Sequence, residues 1–371
     1  MTARPSLQLL RTLSDEHVLT ALVARGRATR AELATATGIS RPTVSEAVAR
    51  LEAAGLVADT GERTTGRGRV GSYYGLGPGA GLALVVDIAP QGVTVEAVDA
   101  LGAVRAAATT AVSGGPAAAV RHAVRRVAAA LAAHAAGASL VTAVVSAADP
   151  VDRTTGRLVH LPDAPFLVGD LDPARLLRRV VAGPVVVDND VNWAARAELR
   201  QGVARGQHDV FHLFLDEGLG SAVVSDGEVH RGAGGLAGEV AHLLTVGPGG
   251  EAMSFTQVFE RLGLRRAGST AIDVGRVVAG LDEPDLLDPV ADAVTGVLAA
   301  AVALLDPSCV VLGGAWGASA ALHAALLARQ GSVPRPVALH RAEVEQAPLV
   351  GARLRAVDAL LERLVTLVRQ G

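Results

Sequence analysis

Between residues 29 and 55 the chain carries a punctuation that few folds accommodate. Thr29 is followed three residues later by Glu32, the spacing at which a hydroxyl and a carboxylate cap one helix reciprocally. Gly38 then interrupts, as a turn needing positive φ requires. Ser40 caps a further helix, and Pro42 falls in its first turn, where no intrahelical N–H is lost. Val44, Val48 and Leu51 recur at helical spacing before Gly55 ends the segment. Two helices joined by a short turn containing glycine form a helix-turn-helix. An amphipathic segment over residues 6–25 precedes it, with Leu10, Leu13, Val18, Leu22 and Val23 as expected core positions and Gly26 as its end.

A strand, a glycine-rich loop and a second strand follow, over Leu56–Thr60, Gly61–Gly71 and Ser72–Leu76. This pattern is a wing. The third helix presents Arg41, Thr43, Ser45 and Arg50 away from its apolar stripe, residue types that suit base edges and phosphates. Arg67 and Arg69, flanked by glycines, suit a minor groove. Residues 1–75 hold ten arginines against seven acids, and the remainder holds 24 against 30. A basic end on an acidic body directs a polyanion to the N-terminus. Residues 1–75 are therefore expected to form a winged helix-turn-helix domain that binds double-stranded operator DNA. The expected assembly is a homodimer or homotetramer, because two-fold proteins read two-fold sites. The competing reading is a helix-rich protein-interaction module with a solvated loop.

The length of 371 residues allows more than one core, and 50% hydrophobic with 19% charged residues excludes a disordered chain. The single cysteine, Cys309, excludes an internal disulfide and fits a reducing cytoplasm; it sits in an apolar run and reads as buried and inert. No signal peptide is visible, and no segment reads as a membrane span. The alanine-rich stretch 117–136 comes nearest, but His122, Arg125, Arg126 and His134 interrupt it. A cytoplasmic protein with no membrane partner is the expectation.

Gly77–Gly81 reads as a linker. Alternating segments at Leu82–Ile88, Gly92–Ala100 and Ala103–Val112 predict three strands before a helix over 117–136. The plan recurs at Val210–Leu215, Ser221–Ser225 and Glu228–His230, with Asp226-Gly227 a hairpin turn. Two α/β lobes around a cleft are expected, at about 76–200 and 201–371 within a domain spanning 76–371.

Three segments carry a family resemblance. Val187-Asp-Asn-Asp-Val-Asn192 runs on to Glu198; Gly232-Ala-Gly-Gly-Leu-Ala-Gly-Glu-Val-Ala-His242 is glycine-rich; Val310-Val-Leu-Gly-Gly314 is a strand entering a glycine turn. In this order, behind a winged helix, they resemble the ROK family (repressors, open reading frames and sugar kinases), whose repressor branch includes the xylose and N-acetylglucosamine repressor type. The resemblance implies a two-lobed, actin-like ATPase-type domain. It implies that Asn189 and Asp190 hold sugar hydroxyls, the aspartate being the general base in kinases, and that Glu239 and His242 contact the sugar. Without the resemblance, Asn189 and Asp190 read as a helix N-cap.

The departures from the family pattern are equally informative. Kinases of this family open their first lobe with Asp-x-Gly-Gly-Thr, but this chain has Asp87-Ile-Ala-Pro-Gln-Gly92, where Pro90 removes a phosphate-facing donor. A second loop, Gly-Thr-Gly in kinases, reads Asp216-Glu217-Gly218, and two carboxylates there repel nucleotide phosphates. The family's three zinc-binding cysteines are absent from Leu243–Phe259. Gln257 or Glu260 stands where the family carries a further sugar-binding glutamate. The expectation is a regulator, a repressor of carbohydrate-related genes, controlled by a sugar or sugar derivative, with no catalytic residues, cofactor or metal. The alternatives are an active sugar kinase with a DNA-binding domain and a regulator whose sensor lobe docks a protein.

Overall fold

Residues 7–65, 70–113, 115–134, 139–159, 171–332 and 335–370 are described in a computed structural model. The chain opens with α1 (Leu7–Arg25), β1 (Arg27–Thr29), α2 (Arg30–Thr37), α3 (Arg41–Ala53), β2 (Val57–Arg63) and β3 (Ser72–Leu76). Thr29 and Glu32 form the reciprocal capping box, and Gly38 closes α2 in the left-handed conformation. Ser40 caps α3, with Pro42 in its first turn. β1 pairs with β3, which pairs with β2, so the wing is part of a three-stranded antiparallel sheet. Val18, Leu22, Val44, Val48 and Leu51 are buried, whereas Leu10 and Leu13 are 47% and 43% exposed. The core of α1 therefore begins later than its periodicity suggests. Gly77–Gly81 is no loose linker: the N–H groups of Gly77 and Gly79 donate to the carbonyls of Leu56 and Gly55, and Ala80 is buried.

The first lobe contains β4 (Leu82–Ala89), β5 (Gly92–Val98), β6 (Val104–Thr110), α4 (Pro116–His134), β7 (Leu140–Ala147), α5 (Pro173–Leu177), β8 (Val185–Asn189) and α6 (Asp190–Gln201). Its sheet runs β6-β5-β4-β7-β8, antiparallel through β4 and parallel from β4 to β8. The second lobe contains β9 (Val210–Leu215), β10 (Leu219–Ser225), β11 (Glu228–His230), β12 (Leu244–Val246), β13 (Ala252–Ser254), α7 (Phe255–Arg261), α8 (Val274–Gly280), α9 (Pro284–Leu305), β14 (Cys309–Gly313), α10 (Ala320–Arg329) and β15 (Ala338–Arg341). Its sheet, β11-β10-β9-β14-β15, repeats the first sheet's plan. Asp226-Gly227 is the β10–β11 turn, both residues at positive φ.

Strand alternation assigns the layers. Leu84, Val86 and Ile88 join the cluster containing the α4 residues Val120, Ala123 and Val127, while Ala83 and Val85 join the one containing Trp193. Phe211, Leu213 and Leu215 face α7 and α9, leaving His212 and Phe214 on the other face of β9. α9 has the length and apolarity of a membrane span, but Val290, Val294 and Val297 bury one of its faces in the second lobe's core.

The last helix, α11 (Ala347–Gln370), follows the second lobe in sequence but packs on β4, β7 and α6 of the first. Its far end reaches the winged helix. Leu360, Leu364 and Val368 join the cluster that holds Val18, Leu19 and Leu22, and Arg369 Nε donates to Glu16 at 2.6 Å.

Candidate functional site

The N-terminus of α3 is open. Arg41 is exposed, while Thr43 and Ser45 are half-buried. The Ser40 hydroxyl accepts the Thr43 N–H at 3.4 Å and shares a 2.8 Å hydrogen bond with the Thr43 hydroxyl. Arg50 takes a different place from the one its helix position suggests. Its Nε and Nη2 donate to both carboxylate oxygens of Asp15, at 2.9 and 2.7 Å, so it ties α3 to α1. A bidentate pair of this kind fixes geometry, and the guanidinium is committed inside the domain. Arg67 and Arg69 lie outside the described residues.

Asn189 closes β8 and caps α6; its Oδ1 accepts the Val191 N–H at 3.0 Å, and Asp190 Oδ1 accepts the same N–H at 2.8 Å. The capping role is real, and both residues also line the cleft between the lobes. The glycine-rich stretch reaches the cleft by close approach. A Cβ on Gly235 would lie 2.0 Å from the Val151 carbonyl, and one on Gly238 would lie 2.3 Å from that of Ser221. Glu239 and His242 thereby reach the rim, both exposed. Asn189, Asp190, Glu239 and His242 line one cavity of about 560 Å³. Gln257 and Glu260 do not line it: Gln257 accepts the Ser254 N–H, and Glu260 pairs with Arg265.

The loops that carry Gln91 and Glu217 close on each other across the cleft. Gln91 Nε2 donates across the cleft to Glu217 Oε1 at 3.2 Å, and Arg266 donates to the same oxygen at 2.7 Å. Asp216 folds onto the Gly313-Gly314 turn, its Oδ2 accepting the Ala315 N–H at 3.1 Å. A second bridge between the lobes joins Arg231 to the buried Asp188.

Electrostatics set the cleft's character. Burial raises Asp190 well above the usual carboxylate range, and the nearby carboxylates of Asp87, Asp216 and Asp149 push it the same way. Burial likewise raises Asp87. His212 also lines the cavity, and burial pushes it down to about 4, so the imidazole is neutral. Asp149 and His212 were not singled out from sequence. Asp149 lies just past β7 in a stretch without a motif, and His212 sits in an apolar strand where histidine reads as filler.

A winged helix fused to two lobes of repeated topology around an acidic cleft defines the class: a DNA-binding type of fold joined to an actin-like, sugar-kinase fold. The sequence profile of the ROK family matches residues 86–255, and that of the MarR family matches residues 12–68. The structure is similar to that of a ROK family transcriptional regulator described as a homologue of the E. coli MLC protein, with TM-score 0.65 and 18% identity, covering 98% of this chain and 100% of that one. It is also similar to a ROK hexokinase from Thermus thermophilus, with TM-score 0.57 and 24% identity, covering 76% of this chain and 99% of that one. A bifunctional enzyme NanE/NanK from Brucella melitensis is 32% identical over 164 residues, which are 42% of this chain and 31% of the enzyme. The chain thus spans about a third of that relative's length. This protein carries a ROK family domain behind an N-terminal MarR-type winged helix domain.

Proposed function

We propose that the protein is a cytoplasmic transcriptional regulator, a repressor of carbohydrate-related genes, whose cleft binds a sugar or sugar derivative without phosphorylating it. One observation carries the reading: an open recognition-helix terminus shares a chain with a sugar-kinase fold whose phosphate loops are bridged by Gln91, Glu217 and Arg266. Arg41, Thr43 and Ser45 are the proposed groove contacts, with Arg67 and Arg69 acting from the wing. Arg50 is proposed as the residue that sets the angle of α3 rather than as a base contact. Asn189, Asp190, Glu239 and His242 are proposed to hold sugar hydroxyls, which carboxylates, amides and neutral imidazoles suit. The domain boundary is placed after residue 75, and the working unit is proposed to be a homodimer or homotetramer.

Gel shifts with genomic fragments selected by the full chain test both halves of the reading. Arg41→Ala is expected to weaken operator binding by about 1–3 kcal/mol and to flatten its salt dependence. Asp190→Ala is expected to keep operator affinity and lose the sugar response. An Arg41→Ala protein that binds as wild type removes the DNA-binding half, and a normal sugar response in Asp190→Ala removes the effector half.

The phosphate loops yield a separate prediction. A coupled assay with ATP and hexoses is expected to show no turnover. A nucleotide phosphate entering at these loops has to displace the bridge of Gln91, Glu217 and Arg266, and Pro90 offers it no backbone N–H. Turnover that disappears in Asp190→Asn would establish the kinase alternative instead.

A further inference from the structure

We propose that the ligand of this cleft carries a protonated amine: it is an amino sugar with a free amino group, and not a sugar phosphate. The inference rests on the reading of the cleft as a sugar site and specifies its chemistry.

Charge is the first argument. Among the described residues that line the cavity, seven are carboxylates: Asp87, Asp149, Asp190, Asp216, Glu217, Glu239 and Glu345. None is an arginine, and the chain has no lysine. Arg266 answers Glu217 from outside the cavity wall. Asp87, Asp149 and Asp216 all act on Asp190, so these acids converge rather than scatter along the surface. Such a wall attracts a cation and repels a phosphate, which elsewhere is held by arginine forks, lysines or backbone donors. A neutral sugar satisfies hydrogen bonds here but does nothing to relieve the mutual repulsion that Asp87 and Asp216 exert on Asp190, whereas a cation does.

The second argument is independent of the acids. His212 is 1% exposed and lines the same cavity, yet among the described residues neither ring nitrogen has a hydrogen-bond partner. The ring stacks on Phe214, and Gly313 packs so close that an added Cβ there would lie 2.9 Å from Nε2. Buried polar side chains are nearly always partnered, so an unpartnered one at a cavity wall marks a place where a ligand donates or accepts. A neutral imidazole can accept from an ammonium group or a hydroxyl, and it adds no positive charge that would favour an anion.

The test is calorimetric titration of the full chain with matched sets: glucose, galactose and mannose; their 2-amino derivatives; the N-acetylated forms; and the 6-phosphates. In at least one set the free amine is expected to bind about tenfold or more tighter than the neutral parent. N-acetylation removes that advantage, high salt shrinks it, and the phosphate binds weakest. Asp149→Asn is expected to cost the amine about tenfold while changing the neutral parent by less than about threefold. Asp87→Asn serves in its place should that variant fail to fold. A neutral sugar or a phosphate that binds as tightly as the amine overturns this inference and leaves the sugar-cleft reading standing. No binding by any compound of the set overturns both. Equal stabilisation by magnesium chloride alone also overturns the inference, since the acids then hold a metal ion.

Discussion

Replacing Glu198 by alanine is expected to destabilise the protein by about 3–5 kcal/mol, more than a typical point substitution does. Glu198 lies on α6, wholly buried, and its carboxylate is shared among three backbone donors. Oε2 accepts the Val203 N–H at 3.0 Å, and Oε1 accepts those of Glu343 and Val344 at 3.0 and 2.8 Å. One side chain thus fixes both the turn after α6 and the segment that leads into α11. The neighbouring glycine is part of the same arrangement, because a Cβ on Gly202 would lie 1.9 Å from Oε2. Alanine at position 198 leaves three donors without partners and a void besides. Glutamine keeps one acceptor and presents an amide N–H to the other side, so Glu198→Gln is expected to cost about 1–2 kcal/mol. Denaturant titration followed by tryptophan fluorescence checks the order. Trp193 sits on α6 and Trp316 in the second lobe's core, so the summed emission responds to unfolding of either lobe. A Glu198→Ala midpoint equal to wild type would show that the turn and the α11 lead-in hold themselves.

Glu198 also illustrates where the sequence is mute. As the tail of a strand-to-helix motif it was visible, but nothing local pairs it with residues 343 and 344, almost 150 positions away. Interactions of short range were legible. The Thr29–Glu32 capping box, the left-handed Gly38, the Ser40 cap and the Asp226-Gly227 hairpin each follow from two to four adjacent residues whose chemistry is self-contained. The wall of the cleft was partly legible because Asn189, Asp190, Glu239 and His242 lie in recognisable segments. Long-range commitments were not. Arg50 looked free because Asp15 is 35 residues earlier, and Gln257 looked available because its bond is to a backbone N–H. Leu10 and Leu13 had the spacing of core residues, yet α1 extends beyond the body it would pack on. β1 is three residues long, too short for alternation to register. The return of α11 to the first lobe is a matter of topology, which hydrophobic periodicity does not encode.

That return leads to the second large effect: loss of α11's grip on the winged helix is expected to uncouple the sugar from DNA. α11 is 24 residues long, about 36 Å at the α-helical rise. Its first turn lies at the cavity, where Gln346, at positive φ, and then Ala347 and Pro348 contribute to the wall. Its last turns lie among residues of α1, and Arg363 donates to the carbonyls of Gly79 and Ala80 at 3.4 and 3.2 Å. A rigid element that touches both sites can transmit a change only if the ligand binds its two placements with different affinity. Under the proposed function, movement of the lobes about a bound sugar would shift the start of α11, and the helix would carry that shift to α1 and so to the placement of α3. Leu364→Ala thins the contact at the far end without touching the cavity. The sugar-induced change in operator affinity, about 5- to 150-fold for couplings of ordinary size, is expected to fall below about threefold. The sugar's own dissociation constant, measured by calorimetry, stays within about threefold of wild type. Arg363→Ala with Arg369→Ala tests the same end through its polar tethers, should the leucine variant be too unstable. An undiminished response in both proteins would mean that the signal reaches the winged helix through the Gly77–Gly81 segment and not through α11.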